Sequence, residues 1–380
     1  MTVSYRDAHV MPVMPLALLA FLLFGVLLVL PGALQPALVA AFSLDLAESG
    51  VVASVLMAGI GVGVIGSGPL IDRFPRRPIF VVAVLACAAA LGLAASARSF
   101  AALLAALGIV GIASGAYETL LNAAVPESRP ERAAARLSVA HAAATLGASL
   151  GAPLLARAAN AIGTPLTFVC LAAAFVALAL AGGFARLPLP PRAATGDAIA
   201  SALPFAALAP LALASAAYVG VESAASVMLP PFAEAQGLAP ARGTLAISGF
   251  WAGVFVARLV FARLALPARP REVALGSLAA ALAFAVGALA GVGTIELWSA
   301  AIGFALGAVF PVLVVLSGDA APQRRASALA IVVAAGSIGG FALPWLAGSA
   351  GARAAPLVLA AGCVVIALGA GFAGRQGRAH

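Results

Sequence analysis

What most limits this chain is a succession of apolar stretches, each about 20 residues long, separated by brief polar breaks. A stretch of that length, wound as a helix, crosses the hydrocarbon core of a bilayer. Such stretches fall near 14–36, 51–71, 79–97, 100–123, 136–157 and 164–185. A second set follows near 204–229, 243–264, 273–292, 297–317, 327–349 and 355–374, giving twelve expected spans. Of the 380 residues, 64% are hydrophobic and 9% charged, with mean hydropathy +1.13. Soluble domains carry about a quarter charged residues. No soluble core hides so much apolar surface, whereas lipid faces it directly. The run 16–34 is too long for a signal-peptide core and reads as a retained first span.

The net charge of +8 does not point to nucleic acid. The arginines stand singly or in short clusters between apolar runs, with no aromatic interleaving and no continuous basic face. Their placement fixes an orientation instead. With the N-terminus cytoplasmic, sixteen of the 21 cations fall on the inner side. Only Arg98, Arg157, Arg242 and Arg353 fall outside, and Arg258 lies within a span. Both termini are therefore expected in the cytoplasm. There is no Lys and Ala is abundant, the coding style of a GC-rich bacterium, so the expected location is a bacterial inner membrane. Cys87, Cys170 and Cys363 fit no metal or redox spacing and are expected to be buried, inert thiols.

An internal repeat sets the architecture. At a constant offset of 192, Gly111 matches Gly303, Gly115 matches Gly307, Pro130 matches Pro322, Arg132 matches Arg324 and Gly147 matches Gly339. Gly61 and Gly253 obey the same offset. An offset of six spans keeps both copies in one membrane orientation, as in a parallel repeat of two halves around a central site. The expected fold is an all-α integral membrane protein with twelve transmembrane helices in two pseudo-symmetric six-helix bundles. The N-terminal bundle is expected over 1–186, a cytoplasmic linker rich in Pro and polar residues over 187–203, and the C-terminal bundle over 204–380.

After the second span the chain reads Gly68-Pro69-Leu70-Ile71-Asp72-Arg73-Phe74-Pro75-Arg76-Arg77. This resembles the major facilitator signature G-x-L-x-D-R-x-G-R-R, with Pro75 where the family usually has Gly. The resemblance implies the major facilitator fold and a cytoplasmic gate at Gly68, Asp72, Arg73, Arg76 and Arg77. In the family, the Asp and Arg residues latch the two halves together when the transporter opens outward. Ala257-Arg258 resembles the G-R of span 8 in many members, which leaves Arg258 either to join this inner gate or to snorkel to the interface. Weaker resemblance links three segments to the fucose-permease-like sugar:proton symporters. Gly115 to Asn122 in span 4 is similar to their G-x-x-x-E-T-x-x-N, His141 in span 5 stands where they have a polar residue, and Tyr218 to Glu222 is close to their Y-x-G-x-[QE]. One departure is span 1, which carries no acid; Gln35 is its main polar residue.

Of the thirteen acids, only Glu118 and Glu222 look embedded in spans. A carboxylate there is expensive and tends to face an aqueous cavity or a partner. Glu118 and Asn122 are four apart and share a helix face, as do Tyr218 and Glu222. From the span limits above, the two acids differ in depth by about 15–20 Å and would serve different steps. Substrate or proton binding is therefore expected at Glu118, Asn122, Tyr218, Glu222 and His141. The functional expectation is a secondary active transporter with alternating access, coupled to protons and importing a small polar solute such as a sugar. The alternative is proton-driven efflux of amphipathic compounds, since Gly147-x-x-x-Gly151-x-Pro153 partly matches an antiporter motif. A non-transporting receptor or an enzyme finds little support: no catalytic constellation, metal cluster or phosphate loop appears. Expected partners are a small-molecule substrate, protons and the lipid bilayer, without nucleic acid, cofactor or metal, in a monomer.

Overall fold

The computed structural model describes residues 11–129, 133–188, 204–263, 269–321 and 325–376. Its first half contains α1 (Val13–Ala33), α2 (Gln35–Phe42), α3 (Leu46–Arg73), α4 (Arg76–Ala95), α5 (Phe100–Ser128), α6 (Ala133–Ile162) and α7 (Thr164–Gly183). The second half contains α8 (Phe205–Ala235), α9 (Pro240–Arg263), α10 (Pro270–Ala290), α11 (Ile295–Leu306), α12 (Val309–Ala320), α13 (Arg325–Ala350) and α14 (Ala355–Gln376). Among the described residues, twelve segments are long and apolar enough to cross a membrane, with α11 and α12 forming one of them. The short α2 prolongs the first span. In lipid a helix satisfies its own backbone, so one-dimensional apolar runs become helices with little ambiguity.

Ends are set by local chemistry. At the start of α3, the Asp45 carboxylate accepts from Glu48 N at 2.7 Å and Glu48 Oε2 accepts from Asp45 N at 2.9 Å, a reciprocal capping box. A single residue, Gly163, separates α6 from α7; its φ of +82° suits only glycine comfortably. Just before α1, Met11 meets the end of the sixth span, where Met11 N donates to Phe184 O and Arg186 N donates to Met11 O, both at 3.0 Å. Residue 11 and the end of span 6 thus share one membrane face, hereafter the near face.

Spans related by the repeat pack alike. A Cβ added to Gly111 would lie 2.3 Å from Leu56 O, joining α5 to α3; one on Gly303 would lie 1.9 Å from Phe250 O, joining α11 to α9. A Cβ on Gly147 would lie 2.0 Å from Leu22 O, joining α6 to α1; one on Gly339 would lie 1.7 Å from Ala216 O, joining α13 to α8. The matched glycines are backbone-to-backbone contact points repeated in each bundle. Lipid supplies no hydrophobic force between helices, so close approach of small residues holds them.

The described contacts between the bundles gather in the far half of the spans. Ser54 Oγ on α3 donates to Phe341 O on α13 at 2.6 Å, and Gly348 lies against Leu46 and Ala47. Ser149 Oγ on α6 donates to Ser248 O on α9 at 3.1 Å, while Gly32 on α1 abuts Ser226 O on α8. Toward the near face α3 loses this packing: Gly66 and Gly68 have nothing within 4 Å of where a Cβ would stand. Far-face contacts therefore roof a space between the bundles.

One expectation is corrected here. Cys87 and Cys363 are buried, but Cys170 is exposed on the outer surface of α7. An apolar run does not distinguish a face turned to lipid from one turned to protein. The linker expected over 187–203 lies almost wholly outside the described residues, as do Pro130, Arg132, Pro322 and Arg324 of the repeat.

Replacing Gly303 by Val should force α9 and α11 apart and destabilise the protein by at least about 1–3 kcal/mol. Replacing the open Gly183 with Ala should leave stability unchanged. Thermal unfolding of the purified variants checks both.

Candidate transport site

Beneath the far-face contacts is a cavity of about 120 Å³ lined from both bundles. Its walls are mostly aromatic and aliphatic: Phe21, Phe24 and Leu28 of α1, Met57, Ile60 and Val64 of α3, and Val219, Trp251, Phe310 and Val333 from the second half. Set into these walls are Glu118, His141, Thr145, Glu222, Arg258 and Ser337.

The polar groups form two trios, one per bundle. In the first, Asn122 Nδ2 donates to Glu118 Oε1 at 3.4 Å, one helical turn apart on α5. The same amide's Oδ1 lies 2.9 Å from His141 Nε2 on α6, so with this amide orientation Nε2 carries the hydrogen. No cation pairs with Glu118 among the described residues. In the second trio, Tyr218 OH donates to Glu222 Oε1, again one turn apart on α8. Arg258 Nη2 on α9 donates to the same phenol oxygen at 3.2 Å and stands 3.6 Å from Glu222 Oε1. Its Nε donates to Gly307 O at 3.4 Å. Phe310 lies between the trios, its ring centroid 5.8 Å from that of His141 and 6.2 Å from that of Tyr218, stacked on both. Phe21 flanks His141 on the other side at 4.9 Å.

All five residues expected to bind substrate or protons therefore meet at one place. The expected depth difference is corrected. Span 7 runs to Ala235 and span 4 to Ser128, several residues past the limits read from sequence. Glu222 is then two residues beyond the middle of α8 and Glu118 four beyond the middle of α5, about 9 Å apart along the membrane normal. Both line the same cavity. Arg258 is corrected in one respect, since it does not snorkel to the interface but lies against Tyr218 and Glu222 in the cavity wall. Side chains on a helix lean toward its N-terminus, and α9 runs toward the near face, so Arg258 leans back into the cavity to meet Tyr218 and Glu222.

The signature segment sits at the near-face end of α3 and the start of α4. Arg73 and Arg77 are exposed, whereas Arg76 is 2% exposed and ion-paired with Glu127 at the end of α5, its Nη2 donating to Oε1 at 3.1 Å. Asp72 lies in the last turn of α3, its side chain outside the described residues, and Gly68 lies one turn earlier. Sequence reasoning missed Glu127 as Arg76's partner because it read that stretch as loop. It also missed Phe310 and Trp251, which nothing separates from other apolar residues in their runs. Trp251 Nε1 donates to Ser226 Oγ at 3.0 Å, which fixes the ring at the cavity wall.

The profile of the Major Facilitator Superfamily matches residues 16–299. The chain belongs to this superfamily. Solved structures agree on the fold. A bacterial homolog of the human lysosomal transporter Spinster, solved inward-facing and unoccupied, is 18% identical with a TM-score of 0.72, covering 100% of this chain and 98% of that one. A D-xylose-proton symporter is 17% identical with a TM-score of 0.75, covering 93% and 95%. The human organic anion transporter MFSD10 is 18% identical with a TM-score of 0.70, covering 95% and 98%. Comparison by sequence with curated proteins finds no match. This superfamily member is thus a multi-pass membrane protein with the transporter fold.

The three signature arginines should behave differently. Arg76→Ala removes a buried, ion-paired side chain and should destabilise the protein by about 1–3 kcal/mol. Arg73→Ala and Arg77→Ala should change stability by less than about 0.5 kcal/mol. Melting of the three purified variants tests this ranking.

Proposed function

We propose that the protein is a proton-coupled importer of small organic solutes, working by alternating access, with the near face cytoplasmic in a bacterial inner membrane. The observation that carries the reading is Glu118, a carboxyl in the cavity wall with no cation beside it. Such a group is suited to take up and release a proton as its access to water changes. Asn122 and His141 hold it in place, and Glu222 forms a second acidic point across the cavity. The arginine asymmetry supports a cytoplasmic near face, and the far-face contacts then make this the inward-open state. Gly68, Asp72, Arg73, Arg76 and Arg77 form the inner gate of the outward-open state, with Arg76 anchored to its own bundle by Glu127.

The lining narrows the cargo. A sugar presents hydroxyls on every side, and this cavity offers mostly rings and alkyl groups. An amphipathic solute with one polar end fits it better. The same lining favours a second reading, proton-driven efflux of amphipathic compounds. In liposomes with a trapped pH dye and no starting gradient, import by symport acidifies the lumen when solute is added outside; antiport makes it alkaline.

Glu118→Gln should abolish proton-coupled accumulation while leaving the fold and downhill exchange of solute intact. Undiminished accumulation by this variant would remove Glu118 from the coupling step.

A further inference from the structure

We propose that the cargo is a monovalent organic anion, a carboxylate on an apolar body, and that Arg258 meets its charge. The proposal rests on the transport reading above and names the substrate class of the same cavity. Its basis is a contrast among the arginines of this protein. Arg242 grips Glu296 through two parallel bonds, Nε to Oε1 and Nη2 to Oε2, both 2.8 Å. Arg76 holds Glu127 through both terminal nitrogens. Arg258, more deeply placed than Arg242, has no such grip. Its Nη2 is 3.6 Å from Glu222, beyond hydrogen-bonding distance, because the Tyr218 hydroxyl bonds both groups and keeps them apart. Its Nε has a long bond to Gly307 O, and Nη1 has no acceptor among the described residues.

A guanidinium is always charged and its fork matches a carboxylate. In the cavity wall, its unmet donors form a place for one more carboxylate than the protein supplies. A neutral cargo leaves that charge poorly solvated, and a cationic one is repelled by it.

Charge neutrality links this site to the proton. Arg258 and Glu222 sum to zero. A proton arriving on Glu222 leaves Arg258 uncompensated, and an incoming carboxylate restores neutrality. The Arg258–Glu222 pair then takes one proton and one anion with no net change in its own charge, separately from the proton on Glu118. The other titratable groups facing the pair are Tyr218 on α8 itself, His141 on α6 and Glu118 on α5. The α1, α3, α12 and α13 walls contribute apolar and hydroxyl groups at the cavity. The rings of Trp251 and Phe310 and the thioether of Met57 are placed to take the apolar body.

The test uses the purified full-length protein and calorimetric titration with three probes of similar shape: phenylacetate, phenylacetamide and phenethylammonium. Phenylacetate should bind at least about tenfold tighter than the other two, and tighter at pH 6 than at pH 8. Arg258→Gln should lose that preference. Glu222→Gln should keep anion binding and lose its dependence on pH, which keeps the proposal testable if Arg258→Gln does not fold. Equal or tighter binding of phenylacetamide or phenethylammonium overturns the proposal, as does an unchanged pH dependence in Glu222→Gln. In the dye-loaded liposomes, a neutral or cationic solute moving protons while carboxylates are inert overturns the anion class and leaves proton coupling standing. Failure of every solute to move protons defeats the transport reading itself.

Discussion

Hydrocarbon offers a peptide backbone no hydrogen-bond partner, and it offers helices no hydrophobic reason to associate. The first half of that constraint makes every span a helix. The second leaves helix association to close contact, which explains why glycines recur in register at a spacing of 192 residues. Gly111 and Gly303 bring spans 4 and 10 onto spans 2 and 8; Gly147 and Gly339 bring spans 5 and 11 onto spans 1 and 7. Each bundle thereby repeats the same close helix contacts. Between bundles the contacts are fewer and gather toward the far face, at Ser54 with Phe341, Ser149 with Ser248 and Gly32 with Ser226, with Phe310 on His141 closer to the near face. In the proposed cycle the two bundles exchange this rim of contacts for one at the near face.

The same constraint governs the centre. Charges are costly between the bundles, so each retained one has a reason to be there. The second-half trio places a permanent cation next to a carboxylate without closing the pair, and the first-half trio leaves a carboxyl with only an amide for company. Phe310 separates the two while touching both. In the proposed cycle the solute's charge meets Arg258 on the second bundle, while protons are taken up at Glu222 beside it and at Glu118 on the first. Any relative motion of the bundles therefore alters both acidic points together. In the proposed cycle this shared dependence is the coupling.

Much of this was legible in the sequence. Length and apolarity alone locate the spans, and the repeat supplies the two-bundle plan. The pairs Glu118 with Asn122 and Tyr218 with Glu222 follow from helical spacing and are present as bonds. What depended on where each helix stops was not legible. Apolar residues do not mark the last turns of α5 and α8, which contain Glu127 and Glu234, and those turns set the depth of Glu118 and Glu222. The snorkelling expected of Arg258 failed for a related reason, since position along a span says where a Cα lies and not which way a long side chain leans. Cys170, Phe310 and Trp251 show a third limit: within an apolar run, lipid, bundle core and cavity all accept the same residues.

In the proposed cycle the far-face contact between α3 and α13 must open for solute to enter. Gly348 and Ala47 sit close enough there for an engineered disulfide, with the Gly348 Cβ position 3.4 Å from Ala47 Cα. The direct measurement is solute flux through Ala47→Cys/Gly348→Cys protein, in a background lacking the exposed Cys170, before and after oxidation. Oxidation should halt flux and reduction should restore it. Full flux through the oxidised, fully cross-linked protein would contradict the proposed cycle.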